Sequence, residues 1–187
     1  MYGRYLFCPC VCETPQRRPR PSPSLRLRRV ASHEAPALRA LQRLSMTEIA
    51  ADHYSPEQIA AFLAVAGPGL DDLVEDGRGW VIAHGEDLVA CAAWRRPPDS
   101  ETAVARSVYV HPAWARRSLA GRLLQRLECD ARADGCTMLS LHSMLGATAF
   151  YRSRGFRPVE DVILDMDGVP FPGVEMIKTL GRSLEAE

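Results

Sequence analysis

Hydrophobic residues recur along this chain in two rhythms, and each change of rhythm marks a change of element. From Ser24 to Ala31, Leu25 and Leu27 fall on one face and Arg26, Arg28 and Val30 on the other, which predicts a first strand. Ser32 then reads as the cap of a helix whose apolar residues, Ala37, Leu38, Leu41 and Leu44, recur at threes and fours. Ser55-Pro56-Glu57-Gln58 opens a second helix: a capping hydroxyl, a proline at the first helical position, and a Gln three residues after the cap. Its apolar stripe is Ile59, Phe62 and Leu63, and Gly67-Pro68-Gly69 ends it.

Apolar runs over Gly79–Ala83 and Leu88–Trp94 flank the polar turn His84–Asp87 and predict a hairpin. A third run, Thr102–Val110, is rich in β-branched residues and stops at His111-Pro112. Leu119, Leu123, Leu127 and Ala131 then keep strict four-residue spacing in a helix over Ser118–Ala133, which Gly135 stops. A strand over Thr137–Leu141, a short helix over Ala147–Ser153 and a hairpin of Phe156–Met166 with Val174–Leu180 complete the chain. The strand–helix–strand unit around the long helix implies a parallel pair with a right-handed crossover, whereas the hairpins imply antiparallel pairing. The sheet is therefore mixed.

Composition narrows the class. The 187 residues are 47% hydrophobic and 25% charged with zero net charge, an ordinary globular profile with no overall field for nucleic acid or anionic lipid. No apolar run approaches the roughly 20 residues that span a bilayer. Residues 1–23 hold five prolines, four arginines and one acidic residue without apolar periodicity. They read as a disordered arm ahead of a domain over 24–182, with a transit peptide or a basic nucleic-acid arm as the alternatives. Cys8, Cys10 and Cys12 are spaced too tightly for structural zinc and lack a nearby histidine, so no metal is expected. Cys91, Cys129 and Cys136 read as small core residues in a reducing compartment, hence a cytoplasmic protein.

The chemistry concentrates at the join between the third strand and the long helix. There Val108-Tyr109-Val110-His111-Pro112 runs into Ala115-Arg116-Arg117-Ser118-Leu119-Ala120-Gly121. A strand stops at a proline, and a short basic turn of small residues feeds a helix N-terminus. That terminus offers unpaired N–H groups and the positive end of the helix dipole. Such a terminus takes phosphate readily; the plainer reading is a strand–turn–helix with two solvated arginines. Ser118, a good helix-start residue followed by an unbroken helical period, is expected to have ordinary negative φ.

This segment resembles the acetyl-CoA motif of the GNAT N-acetyltransferase superfamily, Q/R-x-x-G-x-G/A after V-x-P, with Ala115 in place of Gln or Arg and Ser118 in place of Gly. Ala147-Thr148-Ala149-Phe150-Tyr151-Arg152-Ser153-Arg154-Gly155-Phe156 is similar to that family's A-x-x-F-Y-x-x-x-G-F signature, and Gly146 stands where many relatives carry Asn. The resemblance implies a mostly antiparallel α/β (α+β) sheet of about seven strands with four helices and a splayed parallel pair. It implies acetyl-CoA as co-substrate, its pantetheine arm along Val108, Tyr109 and Val110 and its diphosphate on Arg116, Arg117, Ser118, Leu119, Ala120 and Gly121. Tyr151 would protonate the departing thiolate, unless it is a core tyrosine. A backbone N–H near Val110 would stabilise negative charge on the carbonyl oxygen.

The implied reaction is direct transfer of acetyl to a primary amine of a small molecule or peptide, by a monomer or homodimer. The alternative is an acyl-CoA-binding module whose substituted loop has lost turnover. Glu101 and His111 remain open as the general base. The acceptor pocket implied by the family draws on Asp52, His53 and Tyr54 with the Asp165–Phe171 turn, while Trp80 and Trp94 read as sheet-packing aromatics.

Overall fold

A computed structural model describes residues 24–71 and 77–181. The proposed arm at 1–23, with Cys8, Cys10 and Cys12, lies outside them. Seven strands form one sheet in the order β1-β2-β3-β4-β5-β7-β6. They are β1 (Leu25–Arg29), β2 (Gly79–His84), β3 (Asp87–Arg95), β4 (Thr102–Val110), β5 (Met138–Met144), β6 (Arg157–Met166) and β7 (Val169–Thr179). The helices are α1 (Ala35–Ile49), α2 (Pro56–Ala66), α3 (Leu119–Ala133) and α4 (Thr148–Ser153). Every neighbouring pair is antiparallel except β4 and β5, which α3 connects.

The two faces of the sheet carry separate cores. α3 lays Leu119, Leu123, Leu124, Leu127 and Ala131 on one face, against Ile82, Val89, Leu139 and Met176. α1 and α2 lay Leu38, Leu41, Met46, Ile59 and Phe62 on the other, against Val81, Cys91, Tyr109 and Phe171. The four-residue spacing in α3 thus describes its buried face, whereas the stripe expected for α1 is rotated. Ala37 is exposed and Leu44 half-buried, and Gln42 and Ser45 are buried in their place. Gln42 goes inside because its amide donates to the hydroxyl of Tyr109 at 3.0 Å, a partner periodicity does not reveal.

Local signals fared unevenly. Ser55 and Gln58 form the reciprocal cap of α2, with Gln58 N donating to Ser55 Oγ at 3.2 Å and Ser55 N to Gln58 Oε1 at 3.0 Å. Ser32, by contrast, caps nothing; it opens a single 3-10 turn in which Ala31 N donates to Glu34 Oε2 at 2.8 Å. Glu34 is held there by Arg28 at 2.6 Å, and that bond keeps its carboxyl below the usual carboxylate range. Both hairpin turns are tighter than expected: Gly85-Glu86 joins β2 to β3, and Asp167-Gly168 joins β6 to β7, which therefore starts at Val169. Cys91 and Cys136 are buried as expected, but Cys129 is exposed. Trp80 and Trp94 pack on the sheet beneath guanidinium groups, Arg29 at 4.1 Å from the Trp80 ring and Arg78 at 4.3 Å from that of Trp94.

Tyr54, between α1 and α2, ties that helical layer to the sheet. Its hydroxyl donates to Pro172 O at 2.8 Å and accepts from Leu145 N at 3.0 Å, and its ring stacks on Phe171 at 4.1 Å. Tyr54→Phe removes both bonds and leaves two main-chain groups without their partner. A loss of about 1–3 kcal/mol is expected, seen as a fall of several degrees in Tm; an unchanged Tm would mean that the stacking alone holds the junction.

Candidate active site

β4 and β5 share only Thr102↔Met138, Ala103↔Leu139 and Val104↔Ser140 before they part. A β-bulge coincides with the parting. Ala93 faces Arg106 while Cys91 faces Tyr109, so β4 carries one more residue than β3 between those pairs. Ser107, within that stretch, has φ of 56°. A bulge bends its strand and strengthens the local twist, which turns the end of β4 away from β5. Beyond it, His111 N donates to Val89 O at 2.9 Å, on the β3 side. Main-chain direction alternates along a strand, so the N–H and C=O of Val110 and Val108 face the gap instead.

A cavity of about 340 Å³ occupies this gap. Its walls come from both faces of the sheet: Phe62, Tyr109 and Phe171 on the α1–α2 side, Leu141, Ala147 and Tyr151 on the α3–α4 side. A ligand can therefore be approached from both faces at one point. The cleft of about 560 Å³ between α1 and α2, lined by Arg43, Thr47, Tyr54 and Leu63 among others, is larger but does not reach the parted strands.

A second cavity, of about 300 Å³, adjoins the end of β4 and is lined by Val110, Trp114, Arg116, Ser118, Leu119, Ala120, Phe150 and Arg154. Here one expectation fails. Ser118 does not have ordinary φ: it sits at φ 60° and ψ 16°, left-handed, and its side chain makes no capping bond. Arg116 is left-handed as well, at φ 61°. The helical period starts only at Leu119, so an unbroken period after Ser118 carried no information about Ser118 itself. Left-handed residues on either side of Arg117 turn neighbouring N–H groups toward one side, the concave arrangement that binds anions. The first bond of α3 runs from Arg122 N to Ser118 O at 3.1 Å. The N–H groups of Leu119, Ala120 and Gly121 precede it and have no acceptor within the helix.

Arg117 lies over the Trp114 ring at 4.8 Å. The cation that faces this helix start with Arg116 is Arg154, from the end of α4. It leans across Gly121: a Cβ on that glycine would lie 2.6 Å from Arg154 Cζ. The sequence held a signal for this residue, an arginine directly before the Gly-Phe of the second motif, but its partner lies 33 positions away and only the fold joins them.

Tyr151 projects from α4 into the cavity between the strands, with edge contacts to Phe150 at 5.2 Å and Phe156 at 5.7 Å. Burial pushes its phenol well above the ordinary tyrosine range, so it stays protonated at neutral pH. Among the described residues its hydroxyl has no protein hydrogen-bond partner. Neither candidate base lines this cavity. Glu101 accepts from Thr137 Oγ1 at 3.1 Å, where the strands are still closed. His111 caps its own turn, Nδ1 accepting from Ala113 N at 3.1 Å, and lines a different cleft with His84 and Asp87. His53 stands over Gly146: a Cβ there would lie 2.6 Å from His53 Nε2, so the imidazole fills the space an asparagine would take. Tyr54 of the expected acceptor pocket is the structural tie described above.

A seven-stranded mixed sheet parted between its two parallel strands is the fold of acetyl-CoA-dependent transferases. Residues 35–156 match the family model described as Acetyltransferase (GNAT) family, and the chain belongs to that family. No curated protein sequence matches it. Among solved structures it is similar to a GCN5-related N-acetyltransferase from Rhodopseudomonas palustris, at 23% identity and TM-score 0.72 over 86% of this chain and 98% of that one. The PaiA N-acetyltransferase from Thermoplasma acidophilum, solved with coenzyme A, aligns at 18% identity and TM-score 0.67 over 83% and 99%. The ribosomal-protein-S18-alanine N-acetyltransferase from Escherichia coli aligns at 17% and TM-score 0.59 over 88% and 99%. No helix of the described residues is long and apolar enough to cross a membrane, and none of their His, Cys, Asp and Glu side chains cluster as a metal site.

Two substitutions test this loop. Ser118→Gly is expected to raise Tm by a few degrees, because a left-handed serine costs roughly 1 kcal/mol that glycine does not pay; an unchanged or lower Tm would contradict the left-handed assignment. Gly121→Ala should displace only the flexible end of Arg154, leaving Tm nearly unchanged while weakening acetyl-CoA binding severalfold in a titration. Wild-type affinity in that variant would remove Arg154 from the anion site.

Proposed function

We propose that this protein transfers an acetyl group from acetyl-CoA to a primary amine of a small molecule or peptide, directly and within a ternary complex. The observation that carries this reading is the parted β4–β5 pair, with the main chain of Val108 and Val110 turned toward the gap and the Tyr151 phenol lining it beside Val108. An extended pantetheine arm fits beside β4 as an added strand, using the hydrogen bonds that β5 does not supply. At its far end the diphosphate fits the N–H groups of residues 117–121 with Arg116 and Arg154 as counter-charges. Bound so, acetyl-CoA supplies a thioester carbonyl activated toward amines.

The residues then divide the work. The Val110 N–H donates to the carbonyl oxygen as negative charge grows on it, an interaction stronger in the transition state than before it. The amine reaches the carbonyl through the α1–α2 face as the free base; the new C–N bond forms, the C–S bond breaks, and Tyr151 gives its proton to the departing sulfur. The amine's surplus proton passes to solvent. Binding without turnover draws its support from the serine in the phosphate loop. Ser118, however, takes the left-handed conformation in which glycine is favoured.

Thiol release from acetyl-CoA, followed across amino acids, polyamines, aminoglycosides and peptide N-termini, tests the assignment; acceptor-independent hydrolysis alone would overturn it. Tyr151→Phe keeps the ring and removes the proton. A fall in kcat of about 100-fold with little change in KM for acetyl-CoA is expected. Unaltered kcat would make Tyr151 a packing residue. Because burial raises this phenol, its loss of the proton should depress kcat only above the ordinary tyrosine range near pH 10.

A further inference from the structure

The strand register decides which side chains meet an incoming acceptor. Arg95 faces Val104 and Ala93 faces Arg106 across β3 and β4. Residues two apart share a face of the sheet, so Arg95, Ala93, Val104 and Arg106 lie together. Ala93 is buried beneath α1 and α2, which identifies the face as the one opposite α3. On β5, Leu139 and Leu141 belong to the α3 core. His142 therefore points to the same side as the two arginines.

All three line the cavity in the parted sheet, together with Phe62 and Phe171 of that face. None of the described residues lining it is an aspartate or glutamate. The nearest carboxylate by register, Glu175, stands opposite His142 on β7 but does not line the cavity. Arg95 is exposed, and among the described residues it forms neither an ion pair nor a hydrogen bond. A guanidinium left available in a cleft binds carboxylates in a paired geometry and repels a polycation.

We infer that the acceptor is an amine that also carries a carboxylate, an amino acid or a short peptide, with Arg95 taking the carboxylate while the amine enters the gap beside Val108. This rests on the acetyl-transfer reading above and narrows it. Polyamines and aminoglycosides bring several positive charges toward the available Arg95 guanidinium and offer it no anion, so they are poor fits. The aromatic walls, Phe62 and Phe171, accept the apolar body between the two charged ends.

The test compares an α-amino acid, an ω-amino acid and a dipeptide, each against its own methyl ester, with spermidine and an aminoglycoside alongside. At least one carboxylate form should exceed its ester in kcat/KM by tenfold or more, and the winning arm identifies the source of the carboxylate. Arg95→Gln should raise KM for that acceptor about tenfold with acetyl-CoA KM within twofold, and Arg95→Glu should shift preference toward the ester. Esters or polyamines acetylated as well as the carboxylate forms would overturn this inference and leave acetyl transfer standing. Thiol release that no amine of any class accelerates would overturn both.

Discussion

Between β4 and β5 the sheet is bonded through three residue pairs and then comes apart, and the rest of the architecture is arranged around that failure. A sheet of this size ordinarily closes every ladder, because a buried N–H or C=O without a partner is costly. Here the unpaired main chain of Val108 and Val110 is bordered by packing instead of pairing. α3 holds one side through Leu119, Leu123 and Leu127, while Phe62, Tyr109 and Phe171 hold the other. The bulge at Ser107 makes the divergence a property of β4 itself, so the gap does not depend on a ligand to open it.

That single opening explains why separate features border one candidate site. α3 must cross over the sheet to make β5 parallel to β4, and the crossover leaves its N-terminus at the end of the parted strand. The left-handed residues Arg116 and Ser118 bring the chain from β4 into α3 tightly enough for the loop N–H groups to converge. α4 follows β5 and delivers two side chains three positions apart to two cavities: Tyr151 to the gap and Arg154 to the helix start. The same reasoning separates the structural tyrosines from the proposed proton donor, Tyr151. The hydroxyls of Tyr54 and Tyr109 are both occupied, by Pro172 and Leu145 in one case and Gln42 in the other.

Glycines allow two close approaches between distant segments. Gly121 lets Arg154 lie on the first turn of α3, and Gly146 lets His53 lie against the end of β5. In each, a side chain from a distant segment occupies the volume that a Cβ would need. The absence of an asparagine at 146 is therefore matched by an imidazole from the α1–α2 connection.

Much of this was legible along the chain because it is local. Element order, the parallel crossover, the reciprocal cap at Ser55 and Gln58, and the buried face of α3 all follow from the spacing of neighbouring residues, whose periodicity reflects the burial that stabilises them. What escaped is long-range or conformational. Gln42 is buried because Tyr109 awaits it, Ser32 loses its cap to Glu34, and Arg154 meets Gly121 only when α4 is laid beside α3. The φ of Ser118 escaped too, since a serine is compatible with both signs and the helical period begins one residue later. Sequence determines which residues prefer to be buried together at short range; the face on which Arg95, Arg106 and His142 converge is set by strand register, a relation among segments that no one segment encodes.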